Sequence, residues 1–293
     1  MISNKQIEAE IDNLSKLGSV VETYKEIAAT RVNRTKNSVV KSHNFLTEIN
    51  EVFQQVKTSY RSEVNHLMKQ KKIKDISKLQ FVERNGKTVH VFISANTGLY
   101  GNIIERTFEE FRNAAEEGKK HGNHFAIIGR LGLFFARDAG LGDPYRYFEF
   151  PDNTVDDNRL REIAVFLVEY QKIVVYYPVF KTVVKQDPAI SDISGNSLPQ
   201  EPSKTDNIKY LFEPSLEKVL EFFEKEIFSI ILEQTIRDSQ LAKFASRLVS
   251  LDSASENIKK RFMQMVFDGT RLKHRQKNKK QSQTFSSMSL WGK

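Results

Sequence analysis

The chain of 293 residues contains no cysteine. That excludes disulfides, thiolate-ligated zinc or iron–sulfur centres, and a cysteine nucleophile. Long hydrophobic runs are missing too: no apolar stretch approaches the ~18 residues that a membrane-spanning helix needs. The opening residues, MISNKQIEAEIDN, lack the apolar core of a secretory signal, which argues against export. Proline is absent from residues 5–68 and again from 215–276, so nothing there forces a helix to stop. What is present can build a core: 39% of the residues are hydrophobic, with 21 Phe and 9 Tyr, against 28% charged. That composition argues against disorder, and the length allows one large domain or two modest ones.

The formal net charge of +8 is unevenly placed. Residues 259–293 hold ten Lys/Arg and one acid, Asp268, which gives +9 and leaves −1 for residues 1–258. The basic character therefore belongs to the C-terminal end. A chain whose main work is gripping phosphates carries its positive charge on the folded surface.

Residues 5–68 hold a single glycine, Gly18, and repeat apolar or small residues in steps of three and four. The series runs Ile7, Ile11, Leu14, Gly18, Val21, Tyr24, Ala28, Val32, Thr35, Val39, Leu46, Ile49, Phe53, Val56, Tyr60, Val64, Leu67. This spacing predicts the seam of a coiled coil. Sixty-odd helical residues span roughly 90 Å, and a helix of that length needs a partner. A second such stretch follows Glu213-Pro214, a helix-start signal. Its seam reads Leu216, Leu220, Phe223, Ile227, Ile230, Gln234, Leu241, Ala245, Leu248, Ala254, Ile258, Phe262, Val266. Small residues such as Ala242, Ala245, Ser250 and Ser253 line its middle and permit close helix approach. Two long helices at opposite ends of one chain pair most simply in antiparallel fashion.

Between them the pattern changes. Leu79–Glu83 and Thr88–Ser94 read as strands joined by Asn85-Gly86, a tight-turn pair. Residues 102–118 read as a helix. Short apolar runs follow at 125–129, 131–136 and 145–150; residues 158–170 read as a helix and 173–186 as one long strand. Gly195–Asp206 (GNSLPQEPSKTD) is a loop or linker. Strands alternating with helices predict a compact α/β domain.

Catalytic signatures are sparse. Gly86-Lys87-Thr88 imitates the end of a phosphate-binding loop, but Phe81 stands where that motif needs glycine, and a turn explains the triplet better. Gly98-Leu99-Tyr100-Gly101 is either an anion cradle at a helix start or a tight strand-to-helix turn. His121 and His124 lack a third fixed ligand for metal. The basic run Arg271–Lys280 is open to two readings: a helix end whose cations favour the C-terminal dipole, or a surface for nucleic acid or an acidic protein.

Several segments together resemble the gamma subunit of the F-type rotary ATP synthase family. Residues 24–32, Tyr-Lys-Glu-Ile-Ala-Ala-Thr-Arg-Val, are similar to that family's Met-Glu-x-Val-Ala-Ala-Ser-Lys-Met. Residues 93–102, ISANTGLYGN, resemble its strand followed by S-D-x-G-L-x-G. Tyr210-Leu211-Phe212-Glu213-Pro214 matches its Y-x-x-E-P, and residues 237–257 resemble its small-residue block before the shaft tip. The resemblance covers about residues 5–276, with all blocks in order.

It implies a mixed α/β fold: a long antiparallel coiled coil of the N- and C-terminal helices, with a small central Rossmann-like α/β domain at one end. The corresponding divisions are 1–72, 73–207, 208–276 and a basic, Ser-rich tail, 277–293. It also implies a rotor and not a catalyst, with no cofactor of its own and ATP or ADP with magnesium held by partner subunits. Those partners would be a hexamer of alternating catalytic and non-catalytic subunits around one copy of this chain, with an epsilon-type subunit and a membrane ring at the foot. The place implied is the cytoplasmic side of a bacterial membrane. Carried over by position, Tyr24, Ala28, Ala29, Thr30 and Arg31 face the catalytic subunits, and Arg275 and Gln276 stand near the shaft tip. Ordinary coiled-coil packing and plain tail charge are the competing readings of those residues. The tail departs from the family's partly apolar tip, which suggests a divergent synthase subunit or the shaft of a hydrolysis-driven relative. The alternative from another class is a coiled-coil scaffold or nucleic-acid binder using the basic tail.

Overall fold

The computed structural model describes residues 4–59, 69, 84–194 and 216–290. The chain forms two compact units, residues 1–30 with 247–293, and residues 31–246. Two long helices contribute to both: α1, Asn4–Ser59, and α5, Leu216–Leu290.

In the first unit the opening of α1 runs antiparallel to the end of α5. Ion pairs join Lys25 to Asp252 at 3.1 Å and Glu8 to Lys273 at 3.0 Å, one number falling as the other rises. The seam is narrow because it is built from small residues. A Cβ on Gly269 would stand 3.1 Å from the Ile7 Cγ2 methyl, and one on Gly18 would stand 3.5 Å from that of Ile258. Ile7, Ala28, Leu251, Ser255 and Met265 are buried in it. Two members of the expected seam lie outside. Tyr24 is 50% exposed and Val266 41% exposed; Lys25 and Met265, one residue along, take the inward positions. The average period of the seam is right, but its local phase shifts by one residue at each place.

The second unit is built on a five-stranded sheet in the order β3-β2-β1-β4-β5. In chain order the elements are β1 (Thr88–Ile93), α2 (Ile103–Lys120), β2 (His124–Ile128), α3 (Arg130–Asp138), β3 (Arg146–Phe148), α4 (Asp157–Val168), β4 (Lys172–Phe180) and β5 (Gln186–Asp192). The first three pairings are parallel and β4·β5 is antiparallel. Parallel strands are covered on both faces, hence their near-continuous apolar runs. On one face Val89, Val91, Ile93, Ala126, Ile173 and Val175 pack against Leu160, Ile163 and Leu167 of α4 and Phe228, Leu232 and Ile236 of α5. On the other, Phe92, Phe125, Ile127 and Tyr176 meet Phe108, Phe111 and Ala115 of α2. Phe92 stacks on Phe111 at 5.3 Å, and Tyr176 meets Phe111 edge-on at 5.7 Å.

Three expectations change. Leu79–Glu83 lies outside the described residues, and β1, expected as half of a hairpin, sits inside the sheet. Its two edges are taken by parallel partners, β2 and β4. The long strand over 173–186 is a hairpin, β4 and β5, turned at Lys181–Lys185. The Gln186 amide donates to the Thr182 and Val183 carbonyls there and closes a turn that has neither Gly nor Pro. Helix α5 runs through the basic tail to Leu290. The run 131–136 is the helix α3, and the loop Gly195–Asp206 lies outside the described residues.

Gly129, between β2 and α3, has φ 100°, and a Cβ there would lie 2.8 Å from the Ala95 backbone nitrogen. Replacing Gly129 with Ala is expected to destabilise the protein by about 2–4 kcal/mol, through backbone strain plus a clash that no side chain can relieve. Gly86→Ala, at φ 73° with nothing near its Cβ, should cost about 1 kcal/mol. Urea unfolding midpoints at unchanged slope would read both, and equal losses would contradict the packing described.

Candidate functional site

The residues carried over by resemblance lie on the long helices. Within the first unit, Tyr24 and Thr30 are exposed, Ala29 is half-buried and Ala28 is only 1% exposed. The Thr30 hydroxyl donates to the Glu26 carbonyl one turn back, at 3.0 Å. Leu17, Val20, Tyr24 and Ile27 are all exposed and recur at three- and four-residue steps, so they form one apolar stripe on the helix surface. Arg275 and Gln276 are exposed on α5. Arg31 belongs to the second unit, half-buried, with its guanidinium 5.5 Å from the centre of the Phe244 ring and donating to the Asn153 side chain. Of these residues, Tyr24 shares an outward face with other apolar side chains, Ala28 packs inward, and Arg31 is engaged within its own unit.

The second unit holds a polar centre that sequence reasoning missed. Helix α5 crosses the C-terminal ends of the parallel strands, the crevice where open α/β sheets usually take ligands. There the Lys243 ammonium donates to the Ser94 carbonyl at 2.8 Å and lies 3.7 Å from the Asp152 carboxylate. Both side chains are nearly sealed, at 5% and 6% exposure. Asp152 also accepts from the Asn96 and Thr97 backbone amides, each at 3.0 Å, and from the Thr97 hydroxyl at 2.9 Å. Those amides begin the turn after β1, so the anion they hold is the protein's own carboxylate. The Ser246 hydroxyl donates to the Tyr100 carbonyl at 2.7 Å, and the Gln240 amide donates to the Thr154 carbonyl at 3.1 Å. Helix α5 is thus fastened to the loops after β1 and β3 by a lysine, a serine and a glutamine from one face. A small cavity of about 10 Å³ lies beside Lys243 and Ser94, room for about one water.

The remaining candidates have structural roles. Gly98-Leu99-Tyr100-Gly101 is the tight strand-to-helix turn: Leu99 and Gly101 take φ of 68° and 57°, and Tyr100 is buried. Gly86 turns with φ 73° into β1, and the Lys87 amide donates to the Asn85 side chain at 2.9 Å. His124 stacks on Tyr145 at 3.8 Å and pairs with the Tyr170 hydroxyl at 2.8 Å, while His121 is exposed. Burial pushes the Tyr170 hydroxyl up to about 12. Among the described residues no cluster of three His, Asp or Glu could hold a metal ion. Burial also raises the Asp238 carboxyl on α5, to about 6, with His43 acting weakly in the other direction.

Two measurements follow from this polar centre. Lys243→Met leaves Asp152 buried without its cation and should destabilise the protein by about 3–5 kcal/mol. Adding Asp152→Asn should recover part of that loss, and strictly additive losses in urea unfolding would contradict a coupled pair. For Asp238 the folded value lies above the unfolded one, so the native state binds the extra proton. Its contribution is complete below pH ~4 and is lost as pH rises through about 6. Asp238→Asn should therefore raise stability at pH 7.5 by roughly 2–3 kcal/mol and flatten the slope between pH ~4 and ~6. An unchanged slope would show that Asp238 titrates normally.

The comparisons with known proteins agree with this architecture. A family model described as "ATP synthase" matches residues 3–278. The ATP synthase gamma chain of Pelotomaculum thermopropionicum is 22% identical over 274 residues, covering 88% of both chains. That of Halothermothrix orenii is 21% identical over 265 residues, again with 88% of each covered. Among solved structures, the rotor of the Euglena gracilis mitochondrial ATP synthase superposes with TM-score 0.57 at 11% identity, covering 93% of this chain and 98% of that one. The central stalk and c-ring structure of the Tetrahymena thermophila enzyme gives 0.55 at 14%, covering 80% and 99%. The structural likeness shows a shared fold, and the family model spans nearly the whole sequence. This chain belongs to the ATP synthase gamma-chain family.

Proposed function

We propose that this chain is the central shaft of an F-type rotary ATPase, coupling ATP chemistry in a surrounding ring of subunits to rotation. The observation that carries the reading is the family match over residues 3–278, on a chain whose two ends pair as an antiparallel coiled coil. A stiff paired rod transmits torque, and a chain without a nucleophile or ligand set can still be essential to catalysis by its partners. Its partners are the hexamer of alternating catalytic and non-catalytic subunits and, at the foot, an epsilon-type subunit and the membrane ring. ATP or ADP with magnesium binds on those hexamer subunits, and this chain has no catalytic site of its own. Among the described residues no helix is long and apolar enough to cross a membrane, in keeping with a peripheral subunit. We place it on the cytoplasmic face of a bacterial membrane.

The apolar stripe of Leu17, Val20, Tyr24 and Ile27 is the face offered to the moving domains of the catalytic subunits, with Thr30 at its edge and Ala29 behind it on the seam side; Arg31, in the second unit, is a separate contact. Ala28 supports that face from inside the seam. Arg275 and Gln276 meet the ring nearer the tip. Affinity purification of the tagged full chain from its own cells should recover two homologous ATPase subunits, each at three copies per shaft. Tyr24→Ser with Ile27→Ser should lower ATP turnover of the assembled complex several-fold while leaving the chain folded. Recovery of nucleic acid without ATPase subunits would favour the scaffold reading instead.

A further inference from the structure

Asn85-Gly86 is the one Asn-Gly step in the sequence, and it stands where the chain enters β1. Asn85, Gly86 and Lys87 are all exposed, in irregular backbone. Both ends of the turn are held. The Asn85 amide donates to the Glu169 carbonyl at 2.7 Å, and the Lys87 carbonyl accepts from the Gln171 amide at 2.9 Å. Between these anchors the Asn85 side chain folds back along the chain, its Oδ1 accepting from the Lys87 amide at 2.9 Å. Such an Asx turn mimics a backbone turn and brings the Asn85 Cγ beside the intervening Gly86 nitrogen. That nitrogen is unshielded. Gly86 has φ 73°, with no atom within 4 Å of where a Cβ would stand, and among the described residues its amide has no hydrogen-bond partner.

Other described residues with related chemistry lack this combination. Asn96 engages both ends of its carboxamide, accepting from the Arg130 amide at 2.9 Å and donating to the Phe150 carbonyl at 2.7 Å. A β-branched residue, Thr97, follows it. Asn113 lies inside α2, where the next amide is committed to the helix. Asp268-Gly269 is held in the same way inside α5.

We propose that Asn85 is a self-modification site, where the native turn closes a succinimide ring without an enzyme. The Gly86 nitrogen gives its proton to solvent base and attacks the Asn85 Cγ. A Cγ–N bond forms, the Cγ–Nδ2 bond breaks, and ammonia leaves. Water then adds to one of the two ring carbonyls. Breaking the new bond yields aspartate; breaking the original peptide bond yields isoaspartate, with the chain running through the β-carbon. No oxidant or reductant takes part. In the first step negative charge develops on Oδ1, where the Lys87 amide already donates, the arrangement that stabilises a tetrahedral intermediate. The product sets a carboxylate beside Lys87. As isoaspartate it also inserts a backbone carbon between the two anchors, working against the Asn85–Glu169 hydrogen bond. The preceding residue, Arg84, ties this entry to Glu224 of α5 at 2.9 Å, so modification loosens a fastening point of the sheet. The inference is independent of the shaft reading.

The test incubates the purified full chain, folded, in heavy-oxygen water at warm temperature and mildly alkaline pH, beside a sample unfolded in urea. Peptide mass spectrometry then locates the label. The folded chain is expected to take it up at residue 85 before any other asparagine, mostly as isoaspartate, at a rate that urea does not raise. Gly86→Ala should slow uptake roughly tenfold, because a Cβ hinders the backbone conformations that ring closure passes through. Asn85→Gln, which keeps the carboxamide but must close a larger ring, should take up no label there over the same time. The aged chain should unfold at a lower urea midpoint than the fresh one, and an unchanged midpoint would overturn the loosening. Label at residue 85 only in urea would overturn the site itself, because the native turn would then be protective. Earlier uptake at Asn96 or Asn153, or an unaltered rate in Gly86→Ala, would overturn it too.

Discussion

A long helix in water is tolerable only while something covers its apolar side, and in this chain the first and last helices cover each other. In the unit formed by residues 1–30 and 247–293 the covering is achieved with small side chains. Glycines at positions 18 and 269 sit against Ile258 and Ile7. Close approach exchanges buried area for a thin, stiff rod, and the flanking ion pairs of Glu8 and Lys25 fix its antiparallel register. Those surface pairs contribute little stability. Their value lies in choosing one register among several that small residues would permit.

The second unit shows how a ligand-binding architecture can be turned to mechanical use. Its sheet order and parallel strands create a crevice at the strand ends, and the turn after β1 presents backbone amides toward an anion. Here the anion is Asp152 and the cation beside it is Lys243 of α5. A buried pair of this kind contributes less to stability than its Coulomb attraction suggests, but breaking it is expensive. It therefore specifies where along α5 the sheet attaches, which suits a part that must pass torque without slipping.

Much of this was legible in the sequence. The two seams, the alternation of strands and helices between them and the tight turn at Gly98–Gly101 follow from periodicity and turn chemistry. The blocks at 93–102 and 237–257 pointed to the family. What was hidden depended on distant partners. The neighbours of β1 are β2 and β4, which arrive 36 and 84 residues after its start. The turn at Lys181–Lys185 does without glycine because none of its residues takes a positive φ, and the Gln186 side chain bonds to its carbonyls. Nothing in the sequence singles out Lys243 or Asp152; only the fold puts them 3.7 Å apart. Tyr24 and Val266 fit the seam by spacing and leave it by one residue of local phase.

Direct observation of motion tests the central claim best. The complex assembled with this chain would be fixed by its ring subunits to a surface, with a probe attached to the shaft, and watched under ATP by single-molecule microscopy. The account predicts steps of about a third of a turn in one direction, as expected when three equivalent catalytic sites fire in sequence around one asymmetric shaft. ATP hydrolysis by the assembled ring with the probe stationary, or wandering without direction, would contradict it.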